Sequence, residues 1–141
     1  MANKFGIRSG KLDKKSQIKA GTPSPKTLSF SFRYIDPRNQ KFDYSQKESG
    51  YFCKVIERLS GLSTYTFSEV MAERSPALKA HPIDWPDTSE PAGFSNLNEQ
   101  LRESTPYQFS ISRNEHGRVH GFFIDDVFYV VWLDPAHRLY P

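Results

Sequence analysis

The spacing of apolar positions changes several times along the chain, and each change marks an element. Leu28, Phe30, Phe32 and Tyr34 alternate with Ser29, Ser31 and Arg33, the period of a half-buried strand, and Asp36-Pro37 ends it. Tyr51, Phe52, Val55, Ile56 and Leu59 then share one helical face behind Ser45 and Glu48, which are spaced as a capping box, with Gly61 as the stop. Thr66 and Glu69 repeat the device ahead of Phe67, Val70 and Met71. Together these predict a helical hairpin that covers one face of a sheet. Residues 76–106 have no period, because Pro76, Pro82, Pro86, Pro91 and Pro106 are spread through them. Asn96 and Glu99 are spaced to cap a short helix carrying Leu97 and Leu101. Trp85 is expected to anchor this long loop to the core, since large aromatics are highly buried on average.

The strongest pattern begins near residue 107. Tyr107, Phe109 and Ile111 alternate with Gln108, Ser110 and Ser112, and Asn114-Glu115-His116-Gly117 supplies turn residues. A second strand follows over Arg118 to Ile124, Asp125-Asp126 turns the chain, and the nearly continuous apolar run 127–133 predicts a central strand buried on both faces. Asp134-Pro135 breaks it, and the chain closes on His137-Arg138-Leu139-Tyr140. The fold class is therefore α+β, an N-terminal strand and helical hairpin packed on a C-terminal antiparallel β-meander.

Composition sharpens this in two places. A chain of 141 residues with 14% aromatic content is one folded domain rather than a disordered segment. The net charge of +3 is unevenly spread: residues 1–27 hold seven Lys/Arg against one acid, and the remainder twelve against fifteen. The basic character thus belongs to a flexible arm over 1–27, broken by Gly21-Thr22-Pro23-Ser24-Pro25, and residues 28–141 form the single domain. Such an arm either holds nucleic acid or an acidic partner through salt-sensitive attraction, or keeps the protein in solution. The single cysteine, Cys53, has no internal partner and falls on the apolar face of the first helix, so it reads as a structural thiol in a reducing compartment. No run is apolar and long enough for a membrane span, and no signal-type stretch follows the first charges. A soluble cytoplasmic protein is expected.

Chemistry-bearing side chains gather in and around the meander: Arg113, His116, Arg118, His120, His137, Arg138 and Tyr140. Arg118 and His120 alternate in register with Phe122 and Ile124, which places a cation and a titratable base on one strand face. Such a set suits RNA cleavage, in which a base takes the 2′-hydroxyl proton, a cation stabilises charge on phosphorus and an acid protonates the leaving oxygen. Arginine fits because its planar fork donates two hydrogen bonds to phosphate. The plain alternative is that these are exposed residues on the solvated face of a sheet. There is no phosphate-cradling glycine loop, nucleophile elbow or dinucleotide fingerprint. His116 and His120, with Asp125 or Asp126, lack the spacing logic that a helix would give metal ligands, so neither metal nor cofactor is expected.

The order strand, helical hairpin, link and meander, with the stretch Arg118-Val-His-Gly-Phe-Phe-Ile-Asp-Asp-Val-Phe-Tyr-Val-Val-Trp-Leu-Asp-Pro-Ala-His-Arg-Leu-Tyr140, resembles the RelE/ParE superfamily of bacterial toxins, in particular its YoeB-like RNA-cleaving branch. That resemblance implies an endoribonuclease acting on mRNA, with ribosome or RNA and an antitoxin protein as partners. It also implies that Arg118 stabilises the phosphate, His137 transfers protons and Tyr140 is a further acid/base or stacking group, with His120 beside them. Beside the resemblance, Arg113 and Arg138, and Lys11, Lys14 and Lys15 of an arm that contacts RNA or an antitoxin, are the expected RNA-binding residues. Two other readings stay open: an interaction module of mobile-element or phage-defence type that binds a host protein, and nucleic-acid binding through the arm alone.

Overall fold

A computed structural model describes residues 26–72 and 78–141. The elements are strand β1 (Ser29–Ser31), helices α1 (Ser49–Leu62) and α2 (Phe67–Ala72), strand β2 (His81–Pro82), a 3-10 turn at Trp85–Asp87, helix α3 (Glu99–Arg102), and strands β3 (Pro106–Ser110), β4 (Arg118–Ile124) and β5 (Val127–Asp134). They build one sheet of order β1-β5-β4-β3-β2. The meander β3-β4-β5 is antiparallel, as its alternation predicts, and β2 extends it antiparallel on the far edge. The parallel pairing of β1 with β5, Phe30 opposite Phe128, makes the sheet mixed.

The sheet is covered on both faces, giving three layers. On one side Tyr51, Val55, Leu59 and Leu62 of α1 and Val70 of α2 pack on Phe109, Val119, Phe128, Val130 and Leu133. On the other side there are almost no helices. Phe42, Ile83, Phe94, Leu97 and Leu139 come from loops and the C-terminal tail and close over Phe122, Val131 and Trp132. Each large apolar side chain removed from water there stabilises the fold by roughly 1.5–3 kcal/mol, so the irregular segment is anchored by apolar burial. Trp85 anchors it as expected, edge-on to Phe94 and Trp132 at 4.8 and 6.0 Å between ring centroids.

One irregularity organises the second face. In β4–β5 pairing His120 is opposite Trp132 and Gly121 is opposite Val130, so Val131 is an extra, bulged residue. A one-residue slip reverses every later side chain. Val131 and Trp132 both join the loop-covered core, Leu133 faces the helices, and Asp134 returns to the loop side. The bulge needs a bare backbone beside it, since a Cβ on Gly121 would lie 2.0 Å from the Tyr129 carbonyl oxygen. The Val131 carbonyl accepts the Asp36 amide at 2.9 Å, which draws the first strand off the sheet. That is why β1 stops at Ser31, short of the alternation that extends to Tyr34, and why Tyr34 packs on Phe122 and Tyr129 of the opposite face.

Several local expectations are corrected. Helix α1 starts at Ser49 with Glu48 as its cap and no side-chain capping bond. Ser45 instead donates its amide to Asp43 Oδ1 at 2.8 Å. The buried stripe of α1 is narrower than the sequence face: Ile56 is 65% exposed, and Cys53 is exposed as well. Gly61 lies inside the helix, which runs to Leu62. The Thr66/Glu69 box does form, with reciprocal bonds of 2.8 and 3.1 Å. The cap of α3 is Asn98, whose Oδ1 accepts the Leu101 amide at 2.9 Å, while Asn96 turns its amide to the Tyr34 carbonyl.

Candidate functional site

Arg118 opens β4 between Ser110 of β3 and Asp134 of β5. Its Nη1 donates to Ser110 Oγ at 2.7 Å, and burial lowers its pKa, partly offset by the Asp134 carboxylate. Just before it, Gly117 has φ +75° and sits so close to β5 that a Cβ would be 1.9 Å from the Asp134 carbonyl oxygen. Only glycine allows that turn to seat Arg118 against the end of β5.

Behind Arg118 lies a buried pair. His120 is 0% and Asp134 1% exposed, and His120 Nε2–H donates to Asp134 Oδ2 at 3.0 Å. Burial depresses the His120 pKa despite the carboxylate, so its imidazole is neutral. For Asp134, burial pushes the pKa up, but the His120 contact and the Arg138 and Leu139 amides hold the carboxyl below its ordinary value. The arrangement is a neutral imidazole donating to a carboxylate. His120 Nδ1 is left buried without a partner.

Asp134 also shapes the tail. Its Oδ1 accepts the Arg138 amide at 2.8 Å and its Oδ2 the Leu139 amide at 3.0 Å. This bends the chain so that His137 adopts a left-handed φ of +58°, a conformation that costs a non-glycine residue about 1–2 kcal/mol. Fully buried Leu139 plugs the loop-side core. The 84–89 loop ties down the rest: the Ser89 amide and hydroxyl donate to the Leu139 and Arg138 carbonyls at 2.9 and 2.6 Å, and the Asp84 amide donates to the Tyr140 hydroxyl at 2.8 Å.

The result is a cleft of about 140 Å³ lined by His81, Gln108, Arg118, Asp134, His137 and Tyr140. Of the residues singled out from sequence, Arg118, His137 and Tyr140 converge there. The His137 pKa is lowered by burial and then by the Arg118 cation. His120 does not line the cleft; it lies under Phe42 and Trp132, at ring distances of 5.9 and 6.3 Å, where no ligand reaches it. Its expected role in proton transfer is therefore corrected to a structural one, holding Asp134. Arg113, on the β3–β4 turn, and Arg138, on the tail, are exposed. His116 is engaged with Ser112 Oγ at 3.0 Å. Lys11, Lys14 and Lys15 lie outside the described residues.

Three site residues escaped the sequence reading. Asp134 looked like a strand breaker, His81 sat in a segment without period, and Gln108 was one polar position of an alternating strand. The only signal for Gln108 was its register with His120, which needs the pairing itself. Among the described residues, no three His, Cys, Asp or Glu side chains group to hold a metal ion, and no helix is long and apolar enough to cross a membrane. No family model, curated protein or solved structure matches the chain.

Proposed function

We propose that the protein is a toxin-like endoribonuclease that cleaves mRNA in the cytoplasm, free or on the ribosome, by acid/base catalysis without a metal ion. The observation that carries this reading is the convergence of Arg118, His137 and Tyr140 on one cleft, although they come from a strand and from a tail folded back over it. A fixed guanidinium, an imidazole kept neutral by its surroundings and a phenol meet the needs of phosphodiester cleavage: charge stabilisation at phosphorus, a proton acceptor and a further donor. The cleft has room for one phosphoryl group, and Arg113 and Arg138 are exposed cations available to the neighbouring phosphates. A toxin of this kind is held in check by an antitoxin protein.

The test is incubation of the purified protein with single-stranded RNA in the presence of EDTA. Cleavage is expected, with Arg118→Ala and His137→Ala each reducing the rate by about 10²–10⁴-fold while the circular dichroism spectrum is retained. Undiminished cleavage by either variant removes the site assignment, and intact RNA at all enzyme concentrations, with and without ribosomes, removes the activity. A second reading, a protein-interaction module, is favoured by one feature: a shallow groove of about 550 Å³ lined by Phe67, Tyr107, Phe123, Asp125 and Asp126. It predicts a specific protein partner whose binding is lost in Phe123→Ala and unaffected by Arg118→Ala.

A further inference from the structure

We propose that the shallow groove lined by Phe67, Tyr107, Phe123, Asp125 and Asp126 is occupied by a segment of this same chain, Thr22-Pro23-Ser24-Pro25, with the two prolines seated on the aromatic rings. The proposal does not depend on the ribonuclease reading, and it gives the groove an occupant ahead of any partner protein.

The groove is a row of rings with acidic residues beside it. Phe67 and Phe123 are nearly perpendicular at 4.9 Å between centroids, and Tyr107 and Phe123 are 5.5 Å apart in a similar arrangement. Phe67 is 37% exposed, and Tyr107 and Phe123 are half-buried. About 550 Å³ lies open over this surface. Apolar surface of this extent, rimmed by charge, marks a contact site.

The path of the chain leads to it. Thr27 forms an antiparallel bridge with Thr66, so the residues before Thr27 run alongside those after Thr66, the first of which is Phe67. The next residues are fixed on either side: the Leu28 amide donates to the Tyr65 carbonyl at 2.8 Å, and the Ser29 amide to the Asp126 carbonyl at 3.0 Å. Lys26 Nζ reaches Asp126 Oδ2 at 3.6 Å. The Lys26 side chain is 84% exposed, so this pair adds little stability. Its significance is positional. The chain joins the fold beside Phe67 and Asp126, two walls of the groove.

The residues immediately upstream suit this surface. Proline restricts its own φ and the residue before it, so Thr22-Pro23-Ser24-Pro25 favours the extended polyproline conformation. Proline-rich segments of that conformation dock in aromatic-lined grooves at a low entropic cost. At about 3.1 Å per residue, Pro23 and Pro25 are about 6 Å apart, close to the ring-to-ring steps of 4.9 and 5.5 Å. Charge agrees, since residues 1–27 hold seven Lys/Arg against one acid and the groove carries two carboxylates. A segment tethered this closely meets the groove at an effective concentration on the order of mM, so a contact too weak to hold a free peptide holds the tethered one. A partner protein that uses the groove has to displace it, and binds the full chain more weakly by the fraction of molecules in which the groove is open.

The test is NMR on the full chain. Nuclear Overhauser contacts are expected from the ring protons of Pro23 and Pro25 to Phe67, Tyr107 and Phe123, with the proline signals shifted upfield of their unfolded positions. The double variant Pro23→Ala/Pro25→Ala alters no residue of the sheet or helices; it should lose these contacts and move the signals of the same three rings. In a mixture of labelled and unlabelled protein the contacts are expected within single chains. Proline signals at unfolded positions with no contact to the three rings, or ring signals that the double variant leaves in place, overturn the proposal and leave the groove to a partner protein. Contacts between labelled and unlabelled chains also overturn it, and give the groove to a second copy.

Discussion

Acidification should destabilise this protein well before its carboxylates titrate, and His120 is the reason. In an unfolded chain a histidine takes up its proton near pH 6.5. In the fold, His120 is 0% exposed, its Nε2–H is committed to Asp134, and the added proton would go to Nδ1, which has no acceptor. Its folded pKa is therefore depressed, burial being the main cause. Below pH 6.5 the unfolded state binds a proton that the native state refuses, so stability is complete above that value and is lost as the pH falls toward the folded pKa. The loss approaches about 1.4 kcal/mol per pH unit, or up to about 2 kcal/mol between pH 6.5 and 5, against a typical total of about 5–15 kcal/mol. Asp134 acts in the same sense but in a separate window. Its depressed pKa contributes stability above about pH 3.9 that is lost only as the pH falls through the still lower folded value. His137 is shifted in the same direction as His120 and adds a smaller part, separable with His137→Gln. Urea unfolding at pH 7.5, 6.5 and 5.0 measures the slope. His120→Gln should be less stable at pH 7.5 and flatter below it. An unfolding midpoint that is the same at pH 5 and 7.5, or a slope undiminished in His120→Gln, would refute the buried neutral imidazole.

Three other outcomes follow from the same geometry. Gly117→Ala combines a left-handed backbone with a Cβ placed 1.9 Å from the Asp134 carbonyl; it should cost more than about 2 kcal/mol in urea unfolding, and a neutral result would mean that the turn is not seated as described. Leu139→Ala empties a fully buried site and should cost about 2–5 kcal/mol, with hydrogen exchange accelerating first at the Asp84 amide that Tyr140 now accepts. Asp134→Asn keeps the shape but sets an NH₂ group against one of the three donors the carboxylate accepts; a loss of about 1–3 kcal/mol and faster exchange at the Arg138 and Leu139 amides are expected, and unchanged protection there would show that Asp134 does not hold the tail.

The meander was legible because its strands obey a period of two and its turns carry Gly117 and Asp125-Asp126 where the backbone needs them. The helical hairpin was legible for the same kind of reason, and the Thr66/Glu69 box formed as spaced. Arg118, His137 and Tyr140 could be named from residue type and proximity to strand ends. His81 could not, because its place depends on a two-residue pairing with Gln108 that is settled by tertiary packing. His120 was placed on the correct face with the wrong role. Nothing in the strand pattern indicates that Phe42, far off in sequence, lies over it.

The least legible feature matters most to the site. Read with strict alternation from Tyr129, which lies on the loop side, positions 130–134 would send Trp132 and Asp134 toward the helices. The unmatched Val131 reverses that order. With Asp134 on the helix side there would be no acceptor for His120 and no clamp for the Arg138 and Leu139 amides, and His137 would lose the turn that holds its left-handed backbone. Arg118 would remain on β4 without the tail opposite it. The bulge is encoded by what its neighbours exclude: Gly121 is the residue that lets the Tyr129 carbonyl approach, and the freed Val131 carbonyl is taken by Asp36. A side chain at position 121 would therefore act on the cleft from a distance, by restoring the regular register and turning Asp134 away from it.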